Sequence, residues 1–258
     1  MRFCIKVSVH AFQRVVGVWG ETPKVFSGGK MKYSKIKKAA FVDRPNRFVA
    51  HVTVDGKEET VHVKNTGRCK ELLTPNATVI LEESSNPNRK TKYSLIAVYK
   101  GDKLINMDSQ SPNAAAFEAV ESGIIKEIGK CDYIKREVKY SNSRFDIYYE
   151  KGETKGFIEV KGVTLEQDGM TFFPDAPTER GRKHIYELIK AKNEGYEASI
   201  LFVIQMKGVK SFSPNTKTDP KFAQALMEAR NCGVNILAYD CIVTENEMIT
   251  DSPVDVIL

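Results

Sequence analysis

SRFDIYYEKGETKGFIEVKGVTL, residues 143–165, is the stretch on which the reading of this chain turns. SRFDIYYE and GFIEVKGVTL are aromatic and β-branched, the composition of strands, and KGETKG between them supplies a Gly-bearing turn. A hairpin centred between Gly152 and Glu153 sets Asp146 directly opposite Glu159. Lys161 then shares the face of Glu159, because strand side chains alternate with period two. The reverse face collects Phe145, Ile147, Tyr149, Ile158 and Val160 and is expected to be the core face. Two carboxylates and a lysine on one side of an apolar ribbon make a seat for a divalent metal and for phosphodiester chemistry. The acidic-x-Lys pattern alone carries little weight. It recurs at Glu137-Val138-Lys139, Glu153-Thr154-Lys155, Asp55-Gly56-Lys57 and Asp219-Pro220-Lys221, and such pairs on a solvated sheet face are ordinary. The opposed aspartate and the apolar reverse face single out this copy.

The chain has 258 residues, enough for two modest domains, each burying a core. No apolar run approaches bilayer length. The five cysteines are scattered without CxxC spacing, which predicts reduced thiols and a cytoplasmic protein with no zinc site or disulfide frame. Residues 1–30 contribute +4 of the formal net charge of +6, so a nucleic-acid argument rests on clustering and not on the total. That opening segment is broken by His10, Gln13 and Arg14 and reads poorly as a signal peptide. It is expected to lie outside the fold, with Met31 as the true start.

Residues 31–105 read as a small all-β domain. Strand candidates are AAFVD, RFVAHVTV, EETVHVK, ATVILEE and YSLIAVYK, punctuated by Asp55-Gly56, Thr66-Gly67, Thr74-Pro75 and Asn86-Pro87. Five short strands in so short a span predict a closed barrel of the OB type. Arg44, Arg47, Lys64, Arg68, Lys70, Arg89, Lys90 and Lys92 gather in its connections with Phe48 and Tyr93, a mixture that suits a nucleic-acid backbone and its bases.

From residue 106 to 258 the periodicity changes. Phe117, Val120, Ile124, Ile125 and Ile128 repeat at helical spacing. Strands IKREVKY, RFDIYYE and GFIEVKGVTL follow. A second helix opens at Pro177-Thr178, with Thr178 as N-cap, Glu179 in the first turn, Ile185, Leu188 and Ile189 as its apolar face, and Gly195 ending it. The nearly all-apolar ASILFVIQM, the helix KFAQALMEARNCG and the strand VNILAYDCIV complete the order. This predicts an α/β domain with a mixed sheet flanked by helices.

An acid on the second strand and Glu-x-Lys on the third resemble the core of the PD-(D/E)XK, restriction-endonuclease-like superfamily. More closely, RPNRF (44–48), HVKNTGRCKELL (62–73), SRFD, FIEVKGVTL, FFPDAPTERGRKH (172–184), FSPN and DPKFAQAL resemble the sugar fermentation stimulation protein family over nearly all of residues 31–258. That resemblance implies an N-terminal OB-type domain joined to a nuclease-like domain, DNA binding, and a link to regulation of sugar use. The superfamily motif carries proline before its aspartate, where this chain has Phe145.

Carried onto this sequence, the resemblance implies that Asp146, Glu159 and the Val160 carbonyl would hold Mg²⁺ or Mn²⁺, a hard-oxygen set of the kind Mg²⁺ prefers. Lys161 would orient a water and offset developing charge. Glu118 on the first helix is a candidate third acid. Arg180, Lys183 and His184 lie in the first two turns of the second helix, where Arg180 and His184, four apart, could both meet a phosphate. Two classes stay open. One is a DNA-binding protein of low sequence specificity, regulating sugar-metabolism genes, with a nuclease-type metal site. The other is a Mg²⁺-dependent nuclease acting on DNA or RNA. Mass spectrometry of the native protein tests the expected start: no peptide spanning Lys24 to Lys30 should be found, and an intact one contradicts it.

Overall fold

The computed structural model describes residues 31–65 and 67–258, so the expectation for residues 1–30 lies outside the described residues. The first sheet comprises β1 (Ile36–Asn46), β2 (Val49–Val54), β3 (Lys57–Val63), β4 (Thr78–Glu83), β5 (Tyr93–Lys100) and β6 (Lys103–Asn106). Its order is β3-β2-β1-β4-β5-β6, and a parallel β3–β5 pairing at His62–Ser94 and Val63–Leu95 closes the first five strands into the expected barrel. Asp55 and Gly56 both take positive φ, 51° and 75°. That is the geometry a two-residue hairpin needs to follow strand twist. Val52, Val61, Val79, Leu81 and Leu95 fill the barrel, while Ile80, Ile96 and Ala97 bury their outer face against Tyr33.

The α/β half contains α1 (Ser111–Ser122), β7 (Tyr133–Tyr140), β8 (Ser143–Lys151), β9 (Thr154–Val163), β10 (Leu165–Gln167), β11 (Met170–Phe173), α2 (Glu179–Asn193), β12 (Glu197–Ile204), β13 (Ser211–Pro214), α3 (Pro220–Asn231), β14 (Asn235–Val243), β15 (Met248–Pro253) and β16 (Asp255–Val256). The main sheet runs β15-β14-β12-β9-β8-β7, with β9, β12 and β14 parallel to one another and the remaining pairings antiparallel. Ala115, Ala116, Ala119 and Val120 of α1 pack on Ile158, Val160, Leu201 and Val203. Ile185 and Leu188 of α2 and Phe222 and Leu226 of α3 pack on Phe157, Ile200 and Phe202 from the other side. β12 is therefore buried on both faces, which is why it reads as one apolar run. Among the described residues no helix is long and apolar enough to cross a membrane.

Three details depart from the sequence reading. Helix α1 stops at Ser122, where Gly123 takes φ 76° and caps the helix in the left-handed region. Ile125 and Ile128 are still buried, but from the turns beyond it. Phe145 does not share a face with Ile147. Arg136, paired with Ile147, lies over the Phe117 ring of α1 at 4.2 Å, whereas Val138, paired with Phe145, packs with Phe157 on the α2 side. Both strands change face together at the level of Glu137, whose φ of 54° breaks the alternation, and Asp146. Finally, β10, β11, β13 and β16 form a separate four-stranded sheet. No strand of it exceeds four residues, too short to show a period.

A buried polar network joins the two halves. Gln205, just past β12, donates from Nε2 to the Asn106 carbonyl and Oδ1, both at 3.1 Å, and to the Asp108 carbonyl at 3.2 Å. Ser111 donates to the Asn106 and Asp108 oxygens at 2.8 and 2.7 Å, and Lys64 reaches Asp108 at 3.0 Å. Every group is buried or nearly so, and removing one donor leaves acceptors without water. Gln205→Leu should lower unfolding free energy by about 2–3 kcal/mol, read as a reduced urea midpoint. An unchanged midpoint would show that the network does not hold the halves together.

Candidate metal centre

The β8–β9 register pairs Ile147 with Ile158 and Lys151 with Thr154, the predicted hairpin offset. The next rung is Asp146 beside Glu159, and there the backbone ladder gives way to a side chain. The Val160 N–H donates to Asp146 Oδ2 at 2.8 Å, and Asn113 of α1 donates to Asp146 Oδ1 at 2.8 Å. The face change at Glu137 and Asp146 therefore sets this carboxylate at the strand junction, within reach of α1.

Glu159 lies in the middle of β9 with only 2% of its surface exposed. Its Oε1 accepts from Lys161 Nζ and from His184 Nδ1–H of α2. Its Oε2 is buried and has no hydrogen-bond partner. Burial raises the Glu159 carboxyl, but the His184 hydrogen bond and the Lys161 charge outweigh it and leave it below its ordinary value. Asp146 goes the other way. Burial first and the neighbouring Glu159 charge second raise it, against the Val160 N–H, Lys161 and Asn113. The pair thus holds one strongly ionised carboxylate and one reluctant one.

A carboxylate oxygen buried without a donor suits a cation. Asp146, Glu159 and the Val160 carbonyl are hard oxygen donors of the kind that take Mg²⁺ with waters and substrate phosphates completing the shell. Among the described residues no three His, Cys, Asp or Glu side chains gather closely enough to hold a metal by themselves. Glu118 is half-buried on α1, five residues past Asn113 and so about 140° around the helix from it. Asn113, which the sequence reading missed, is the α1 residue bonded to Asp146. A single Asn near a helix start carries no signal in sequence.

The basic residues divide into two groups. Arg44 is engaged inside its own loop, donating to the carbonyls of Asn65, Gly67, Arg68 and Arg47 at 2.6–3.0 Å. Lys64 is paired with Asp108 and Glu82. Arg89 is half-buried and donates to Ser94 and Thr91. These three shape the barrel loops through these bonds, and Arg44 also lines the cleft that holds Arg47 and Arg68. Arg47 and Lys90 are exposed, and Arg47 and Arg68 line an open cleft of about 420 Å³ with Lys70 and Ala176. In α2, Thr178 caps the helix through its hydroxyl to the Gly181 N–H at 3.0 Å. Asp219, which caps α3, also accepts from the Thr178 N–H and from Arg182. This pins the helix start that carries exposed Arg180 and Lys183 and buried His184.

Two family models match the chain: "SfsA N-terminal OB domain" over residues 42–107 and "Sugar fermentation stimulation protein RE domain" over residues 110–247. A sugar fermentation stimulation protein homolog from Alkaliphilus oremlandii is 55% identical over 231 residues, 88% of this chain and 98% of that relative. One from Clostridium beijerinckii is 56% identical over 229 residues, 88% of this chain and 100% of the relative. The solved structure of Pyrococcus furiosus SfsA in complex with Ca²⁺ superposes with a TM-score of 0.79 at 31% identity, covering 88% of this chain and 98% of that one.

The opposite shifts give opposite stability effects. Glu159, held below its ordinary 4.5, contributes stability above that pH that is lost as pH falls through its folded value. Asp146, raised above 3.8, favours the fold when protonated and loses that contribution as pH rises through its folded value. At pH 7 in EDTA, Asp146→Asn should therefore raise Tm, while Glu159→Gln should destabilise by about 3 kcal/mol by leaving Lys161 and His184 without their anion. Thermal and urea unfolding of both variants test this, and shifts of the same sign would contradict it.

Proposed function

The chain belongs to the sugar fermentation stimulation protein family, and from the geometry of its site we propose that it binds nucleic acid, DNA foremost, and hydrolyses phosphodiester bonds at a nuclease-type divalent-metal centre. The observation that carries this reading is the partnerless, buried Oε2 of Glu159 beside Asp146 and two residues from Lys161. Asp146, Glu159 and the Val160 carbonyl would hold Mg²⁺ or Mn²⁺, and Ca²⁺ in the Pyrococcus furiosus relative supports a divalent ion in this family. Such an ion supplies charge that polarises a phosphate oxygen and acidifies a water.

The chain's own residues do the rest. His184 and Lys161 keep Glu159 ionised in a dry setting, and Asn113 and the Val160 N–H orient Asp146. Lys161, 16% exposed in its side chain, is the ammonium that meets charge developing on the phosphate. Arg47, Arg68, Lys90, Arg180 and Lys183 bind backbone phosphates and do not read bases, which implies low sequence specificity. Glu118 is kept as a third acid that the centre could recruit.

The relatives' name favours a second reading, a DNA-binding regulator of sugar use on the same fold without catalysis. One experiment separates the two. With Mg²⁺ or Mn²⁺, residues 31–258 should cleave labelled DNA, and Asp146→Ala should abolish cleavage while DNA affinity stays equal or rises. Cleavage that persists in the variant contradicts the site, and binding without cleavage in any metal favours the regulator.

A further inference from the structure

Between the β7–β8 turn and the first two turns of α2 lies an open cleft of about 610 Å³ that reaches the metal centre through His184. His184 lines it and holds Glu159 through Nδ1, leaving Nε2 as its remaining polar atom. Four cations line the cleft, Lys139, Arg144, Arg180 and Lys183, and no acid does. Two of them oppose each other directly: Lys139 of β7 pairs in register with Arg144 of β8. Like charges facing across a ladder are destabilising. Arg144 gains partial relief from Glu137 at 3.2 Å, a largely exposed contact that water screens. Lys183 extends over the turn to the Asn142 carbonyl at 3.3 Å, tying the two walls together. Beneath them Ser143 is 8% exposed, and its hydroxyl is buried with no partner. A buried hydroxyl without a partner costs free energy that a ligand oxygen would recover.

These features have one chemistry in common, that of a tetrahedral oxyanion. Facing cations want an intervening negative charge, the Ser143 hydroxyl wants an acceptor, and the α2 N-terminal turns favour an anion. We propose that this cleft is a phosphate subsite that takes a backbone phosphate of a nucleic-acid strand adjoining the one at the metal centre. The inference rests on the nucleic-acid reading above and narrows it: the centre recognises a strand of several phosphates and not an isolated diester. His184 is the positioning residue between the two sites, because it contacts the cleft on one side and Glu159 on the other. The β7–β8 turn, with its Lys139–Arg144 pair, is then a functional wall.

The test is fluorescence anisotropy of a labelled single-stranded DNA oligomer with the chain in EDTA, over a series of salt concentrations. Lys139→Ala and Arg180→Ala, both at exposed positions outside the core, should each weaken binding about five- to tenfold. Each should also flatten the slope of log K against log salt by about 0.7, the share of one phosphate contact on a single strand. Ser143→Ala should weaken binding without changing the slope, since it removes no charge. Lys217→Ala, outside the cleft, should do neither. Wild-type binding with unchanged affinity and slope in Lys139→Ala and Arg180→Ala would overturn the subsite and leave the nucleic-acid reading standing. No binding by the wild-type chain would overturn both.

Discussion

A carboxylate buried at the centre of a sheet must be held charged, and the structure around Glu159 is organised by that constraint. Removing an ion from water costs several kcal/mol even after relaxation. Here the cost is offset by two donors from different elements, Lys161 on its own strand and His184 on α2. His184 can reach only if α2 starts where it does. Its start is fixed twice, by the Thr178 hydroxyl and by Asp219 from the cap of α3. The packing of α2 on Phe157, Ile200 and Phe202 sets the height of the helix above the sheet. Both donors reach Oε1, so the fold stabilises the charge through one oxygen while Oε2 stays buried without a hydrogen-bond partner.

Much of this was legible because a short turn dictates hairpin register, and register dictates which residues meet. The Asp146–Glu159 rung and the shared face of Glu159 and Lys161 follow from counting outward from Gly152. Counting failed for Phe145. Alternation holds only while backbone dihedrals stay extended, and Glu137 leaves that region on the neighbouring strand, turning both strands over together. The resulting placement of Asp146 against Asn113 depends on a contact 33 residues away, which no local pattern encodes. Similarly, the Phe117–Ile128 periodicity reported burial correctly for Ile125 and Ile128, yet could not see that Gly123 ends the helix before both.

The basic loops of the barrel show a second limit. Composition counts charges, whereas a ligand meets only those that the protein has not already engaged. Arg44 organises four carbonyls and Lys64 sits in the junction network with Asp108, so both build the platform. Arg44, Arg47 and Arg68 all line one open cleft, and Ala176 in that lining lies four residues from Arg180 in the cleft beside Glu159. Segment 176–180 thus connects the barrel's basic loops to the centre, and Gln205 with Asn106 keeps the two halves in a fixed relation along that route.

The most direct measurement of the central claim is anomalous diffraction from crystals of the chain soaked in Mn²⁺, recorded at the manganese edge. The account predicts a peak about 2.1 Å from Glu159 Oε2, shared with the Asp146 carboxylate and lost in Glu159→Gln. A peak elsewhere, or an empty Glu159 Oε2 at saturating Mn²⁺, would contradict a metal centre at these residues.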